Sequence, residues 1–160
     1  MANGLRRELV KVQSRATKYE NDMTNKISGS CLCGSVQYSS DAEPVITAIC
    51  HCENCQRQTG SSFSIIVCVP EDTLKFQQKH TLAEYLDYSA AGQEVRRKFC
   101  QNCGSPIFSL VESAPGLGII KAGTLNDSSW LNPTTEFWCS SAQPWLEMNN
   151  EMTKYDQNPA

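Results

Sequence analysis

An all-β domain pinned by metal-binding cysteines is what this sequence predicts, and three observations carry the prediction. Short β-branched or alternating runs recur along the chain, separated by Gly, Pro or polar residues. Helix-period stretches long enough to alternate with them are missing, which argues against βαβ units. Nine cysteines among 160 residues fall largely into C-x-C and C-x-x-C spacings, which suit a soft-ligand ion better than a disulfide framework.

Residues 1–26 differ in character from the remainder of the chain. They carry Arg6, Arg7, Lys11, Arg15, Lys18 and Lys26 against Glu8, Glu20 and Asp22, and are read as a flexible basic N-terminal extension. Glu8 and the lack of a Ser-rich run weigh against a mitochondrial presequence. From Ile27 to residue 148 the chain reads as one zinc-binding domain, with residues 149–160 as a C-terminal tail. Within it, residues 35–39 alternate and residues 45–49 run into Cys50. The run 63–69 is apolar and β-branched until Pro70 stops it. Strands over 73–76 and 82–86 come next, then a hairpin turn at 90–93 and a returning strand over 94–99. The runs 107–111, 118–122 and 135–138 complete the set. Residues 56–61 and 127–131 are expected to form short helical turns.

The cysteines divide by spacing. Cys50-x-Cys52-x-x-Cys55 offers three thiols within six positions, a density that needs a cation such as zinc among the thiolates. In an extended segment Cys50 and Cys52 face one side and His51 the other, and a turn then returns Cys55. Two readings stand at this point: a catalytic site with an open fourth position, or a closed site completed by His51, Cys68 or water. Cys31-x-Cys33-Gly34 and Cys100-x-x-Cys103-Gly104 supply four more sulfurs, enough for a saturated structural site. The glycines suit positive φ after a metal-bound cysteine. Cys68 and Cys139 stay unassigned, Cys68 as a small buried residue of an apolar strand.

Composition narrows the class further. A formal charge of −3 with 19% charged residues argues against nucleic acid as a partner. No apolar leader opens the sequence and no run of about 18 apolar residues occurs, so no membrane segment is expected. The cysteine pattern points to a reducing compartment, with the cytoplasm as the expected location. An exposed strand edge would permit pairing with a second copy.

Four motifs in order resemble one known family. They are C-x-C-G at Cys31–Gly34, C-H-C-x-x-C-x-x-x-x-G-S-x-F from Cys50 to Phe63, F-C-x-x-C-G-S from Phe99 to Ser105, and Gly123-Thr124-Leu125-x-Asp127 with a later Pro144-Trp145. The chain from about Gly29 to Glu147 is similar to the glutathione-dependent formaldehyde-activating enzyme family, which includes the domain of centromere protein V. The resemblance implies a β-tent of small antiparallel sheets stapled by zinc, with two zinc ions per chain. By motif position, Cys31, Cys33, Cys100 and Cys103 would hold the structural ion, and Cys50, Cys52 and Cys55 the catalytic one. It also implies an activity, the condensation of formaldehyde with the thiol of glutathione, or a related carbon–sulfur lyase reaction on another thiol adduct. The alternative is a non-catalytic zinc-stabilised binding module like the centromere protein V domain.

Around that site, Arg57 is a candidate for gripping a glutathione carboxylate, with a surface ion pair as the competing role. Gly60, Ser61 and Ser62 are candidates for presenting amides and hydroxyls to substrate. Arg96-Arg97-Lys98 is read as a solvated strand, and Trp130, Trp138 and Trp145 as residues of the core or its rim.

Overall fold

A computed structural model describes residues 27–158, so the basic extension lies outside the described residues. Two sheets make up the domain. The smaller has the order β1 (Ile27–Ser30), β2 (Gln37–Ser40), β5 (Lys75–Gln78), all antiparallel. The larger contains β3 (Ile46–Cys50), β4 (Ser64–Pro70), β6 (Leu82–Tyr88), β7 (Glu94–Cys100), β8 (Pro106–Val111), β9 (Leu117–Lys121), β10 (Thr135–Phe137) and β11 (Thr153–Lys154). Its spatial order is β11-β10-β3-β4-β9-β8-β7-β6. Among the described residues there is one α-helix, α1 (Glu53–Thr59), which comes after β3. The all-β expectation holds, and most ladders are antiparallel. The exception is β10, which lies parallel to both β3 and β11. Thr153 and Lys154, in the segment read as a tail, thus form a sheet edge.

Period-two alternation decides which face of the large sheet is filled. Along β4, Val67 and Val69 point into a core shared with Ile27, Val36 and Tyr38 from the small-sheet side. Ile66 and Cys68 point to the opposite face, beside Ala48 of β3. Burial on both faces is why the β4 sequence reads as a continuous apolar run. On β9 the same rule sends Ile120 into the core, while Ile119 packs with the other group.

Close approach of β1 to the Tyr38 ring of β2 and to the turn at Thr124 after β9 depends on Gly29. A Cβ built there would sit 2.2 Å from the Tyr38 hydroxyl oxygen and 2.5 Å from the Thr124 carbonyl oxygen. Tyr38 and Thr124 share a 2.7 Å hydrogen bond that holds this geometry. Gly29→Ala is therefore expected to cost about 3 kcal/mol through overpacking, read as a melting temperature lowered by roughly 10 °C. An unchanged melting curve would show that the Tyr38 ring and the Thr124 turn can shift without penalty.

Two local expectations are revised. Residues 127–131 form no helix; Leu131 N–H donates to the Ser128 carbonyl in a single turn, and the Trp130 indole caps back on the Asp127 carbonyl. Trp145 is 67% exposed, so it packs neither core nor rim.

Candidate active site

The four cysteines of the first and third motifs converge from opposite ends of the domain. Each pair sits on a tight turn. Gly34 N–H donates to the Cys31 carbonyl and Gly104 N–H to the Cys100 carbonyl. Both glycines take positive φ, 78° and 74°, as the C-G spacing predicted, since a Cβ there would strain the turn. The sulfurs of Cys31, Cys33, Cys100 and Cys103 all lie within 4.8 Å of one another. Cys33 is 3.5 Å from Cys31 and 3.7 Å from Cys100, sulfur to sulfur. A tetrahedron with zinc–sulfur bonds of about 2.3 Å has edges of about 3.8 Å. The donor set fits a zinc-sized ion and is far from disulfide distance, and all nine cysteines are free.

The three-cysteine group is built at a strand-to-helix junction. Cys50 ends β3, opposite Ser64 of β4 and Phe137 of β10. Cys52 is the N-cap of α1, with backbone φ −61° and ψ 146°, and its sulfur accepts the Cys55 N–H at 3.3 Å. The helix therefore starts three residues before the expected turn, because the cysteine itself caps it. Gly60 closes the other end. Cys50, Cys52 and Cys55 sulfurs also lie within 4.8 Å of one another, with no fourth His, Cys, Asp or Glu ligand atom in the group among the described residues. Without an ion, three thiols so close cannot ionise together. Cys55 is driven well below the ordinary thiol range, first by hydrogen bonds from Cys50 and Cys52, then by the Lys121 and Arg97 charges. Cys50 is pushed up by its hydrogen bonds with Cys52 and Cys55 and by burial.

His51 points away from the sulfurs, as strand alternation requires. Its ring is 1% exposed, with Nε2 3.7 Å from a Glu136 carboxylate oxygen that is itself buried, and it meets Phe63 edge-on at 5.9 Å. Burial lowers its pKa, with the Glu136 charge opposing. Its backbone does more for the site. The N–H donates to Phe137, and the carbonyl accepts from the Gln56 side chain at 2.6 Å, tying α1 to β10. Cys68 lies in the sheet face below, outside the sulfur group.

The three sulfurs open onto a cavity of about 670 Å³. Its floor is the face of the large sheet that carries Ile66 and Cys68, and cross-strand register lays out the chemistry in rows. Arg97 of β7 stands opposite Ser109 of β8, which stands opposite Ile119 of β9. Cys68 continues that row on β4 and Ile46 on β3. In the next row Lys121 of β9 faces Ile66 of β4. Lys121 is 4% exposed and donates to the Ser64 hydroxyl at 3.2 Å. Burial lowers its pKa, and the neighbouring Cys55 raises it. Arg97 is held by Asp87 at 2.7 Å and Gln58 at 2.9 Å. The Ser109 hydroxyl is buried without a hydrogen-bond partner.

This geometry corrects the reading of Arg96-Arg97-Lys98 as a solvated strand. Alternation does split the run, but Arg97 goes inward, 7% exposed, because Asp87 and Gln58 satisfy it there. Lys121 was missed; the signal was a lone cation at the end of an apolar strand. Trp138 borders the cavity in a left-handed conformation, φ 59°, with its indole donating to the Asn158 side chain. Such a backbone is rare for a bulky residue and is held here by the C-terminal segment. Arg57, by contrast, pairs with Glu53 at 3.1 Å on the exposed side of α1. Neither it nor Gly60, Ser61 or Ser62 lines the cavity, whereas Glu53 does.

A three-stranded and an eight-stranded sheet with cysteines gathered in two ligand-type groups, one open to a cavity, define a class of cysteine-rich β domain. The family model of the glutathione-dependent formaldehyde-activating enzyme matches residues 26–141, and the chain belongs to that family. Curated relatives bearing the family's name include an Aspergillus flavus protein, 28% identical over 95 residues, covering 58% of this chain and 48% of that one. A Podospora anserina relative is 27% identical over 116 residues, covering 69% and 53%. The chain thus spans about half the length of the curated relatives it matches. The crystal structure of a Rhodobacter sphaeroides protein shares the fold, with a TM-score of 0.51 at 22% identity, covering 66% of this chain and 91% of that one. Among the described residues, no helix is long and apolar enough to cross a membrane.

Proposed function

We propose that this chain is a zinc-dependent carbon–sulfur lyase of the S-(hydroxymethyl)glutathione synthase type, acting on the adduct of glutathione with a small aldehyde. In this reading Cys50, Cys52 and Cys55 hold a catalytic zinc, and Cys31, Cys33, Cys100 and Cys103 hold a structural one. The observation that carries it is a three-sulfur group with no fourth protein ligand among the described residues, opening onto a cavity. When bound, zinc supplies the Lewis acidity that favours the thiolate form of a substrate thiol at neutral pH.

In the synthetic direction the glutathione sulfur attacks the aldehyde carbon and a C–S bond forms. The carbonyl π pair moves to oxygen, and the proton lost by the thiol ends there; the reverse reaction breaks the same bonds. Lys121, buried at the cavity floor, donates to the oxygen where negative charge grows. Arg97, fixed by Asp87 and Gln58, keeps that end of the cavity positive. Holding two small reactants together supplies a large effective molarity. Arg57, ion-paired with the mouth residue Glu53, is assigned to a glutathione carboxylate outside the cavity. Gly60, Ser61 and Ser62 are assigned as polar contacts beyond the helix end. The cytoplasm, where thiols stay reduced, is the proposed location.

The test is the rate of formaldehyde–glutathione adduct exchange, measured by NMR with zinc-loaded protein. Acceleration over the uncatalysed rate supports the reading, and no acceleration sinks it. Lys121→Met is expected to lower kcat about 100-fold.

A further inference from the structure

The cavity is far larger than formaldehyde requires, and its floor is chemically divided. The polar end holds Lys121, Arg97 and the unpartnered Ser109 hydroxyl. Beyond it, adjacent strands place Ile66, Cys68 and Ile119 in one continuous apolar wall, with Ile46 at its far edge. Glutathione carries two carboxylates and an ammonium, so its peptide part has no reason to lie there. The mouth offers it polar partners instead, including Asn54, Gln93 and Glu94. What remains for the wall is the group brought by the carbonyl partner.

We infer that the carbonyl substrate is an aldehyde bearing an apolar chain, whose carbons lie on the Ile66–Cys68–Ile119 wall while its oxygen faces Lys121. This rests on the thiol-adduct reading above and deepens it. The wall belongs to the same cavity as the three sulfurs, so a chain attached to the reacting carbon reaches it without leaving the site. Apolar area buried this way strengthens binding by up to about fourfold per methylene. The chemistry is unchanged: the C–S bond forms at the aldehyde carbon and the thiol proton goes to oxygen, whatever the length of the chain.

The experiment is calorimetric titration of the full zinc-loaded chain with S-methyl-, S-propyl-, S-butyl- and S-hexylglutathione, which read the wall without turnover. Kd is expected to fall at least about 30-fold from methyl to hexyl. Ile119→Ser should flatten that dependence, and the wild-type series stands alone if the variant does not fold. Binding of S-methylglutathione with no gain from longer chains overturns the inference and leaves the thiol-adduct reading intact. Failure of every member to bind overturns both.

Discussion

Replacing Cys100 by serine is expected to unfold most of the domain at physiological temperature. Cys100 is fully buried, ends β7, and joins the core cluster as well as the four-sulfur group. Its sulfur lies 3.7 Å from Cys33 and 3.2 Å from the Thr81 hydroxyl. The proposed structural ion therefore fastens the turn after β1 to the end of β7. Structural zinc contributes about 10–16 kcal/mol of apparent binding energy in small cysteine-rich domains, against a total domain stability of about 5–15 kcal/mol. Losing even a third of that would lower the melting temperature by roughly 10–20 °C. Thermal melts and zinc analysis of the variant check this, with Cys139→Ser as a control, since Cys139 belongs to neither group. A variant that keeps both its melting point and its zinc would remove the structural role.

Cys52→Ser is expected to do the reverse, abolishing turnover while sparing the fold. Serine is a good N-cap, so its hydroxyl can accept the Cys55 N–H in place of the sulfur and α1 persists. A neutral hydroxyl is a poor zinc ligand, so the metal content should fall from two ions to one. Adduct exchange should then drop at least about 1,000-fold, towards the uncatalysed rate. The melting temperature should move by only a few degrees. A zinc-stabilised binding module without catalysis, as in the resemblance to centromere protein V, predicts the opposite pattern. There the substitution would loosen the fold, and there would be no turnover to lose.

The cysteine groups were legible in the sequence because ligation depends on local spacing, and short C-x-C and C-x-x-C turns leave little choice of geometry. Strands such as 64–70 were legible for a similar reason, being β-branched and ended by Pro70. The cavity was not. Alternation showed that Arg97 and Lys121 must differ in face from their neighbours, but not which face turned inward. That was decided by partners distant in sequence, Asp87 and Gln58 for one and Ser64 for the other. Ile27–Ser30 has no alternation strong enough to mark it, yet it becomes β1 by pairing with β2. Likewise β10 lies parallel to β3, a pairing that neither strand's composition announces. The start of α1 is hidden in the sequence because a cysteine serving as its cap does not look like a cap.

The knot of four sulfurs joins positions about seventy residues apart, and this bears on how much of the protein a cell can keep. The proposed ion, held by the folded chain and less well by the unfolded one, would tie the surviving population to the exchangeable metal supply by mass action. Under scarcity, newly made chains would linger open and be cleared by proteases. Abundance would then report metal nutrition before any change in synthesis.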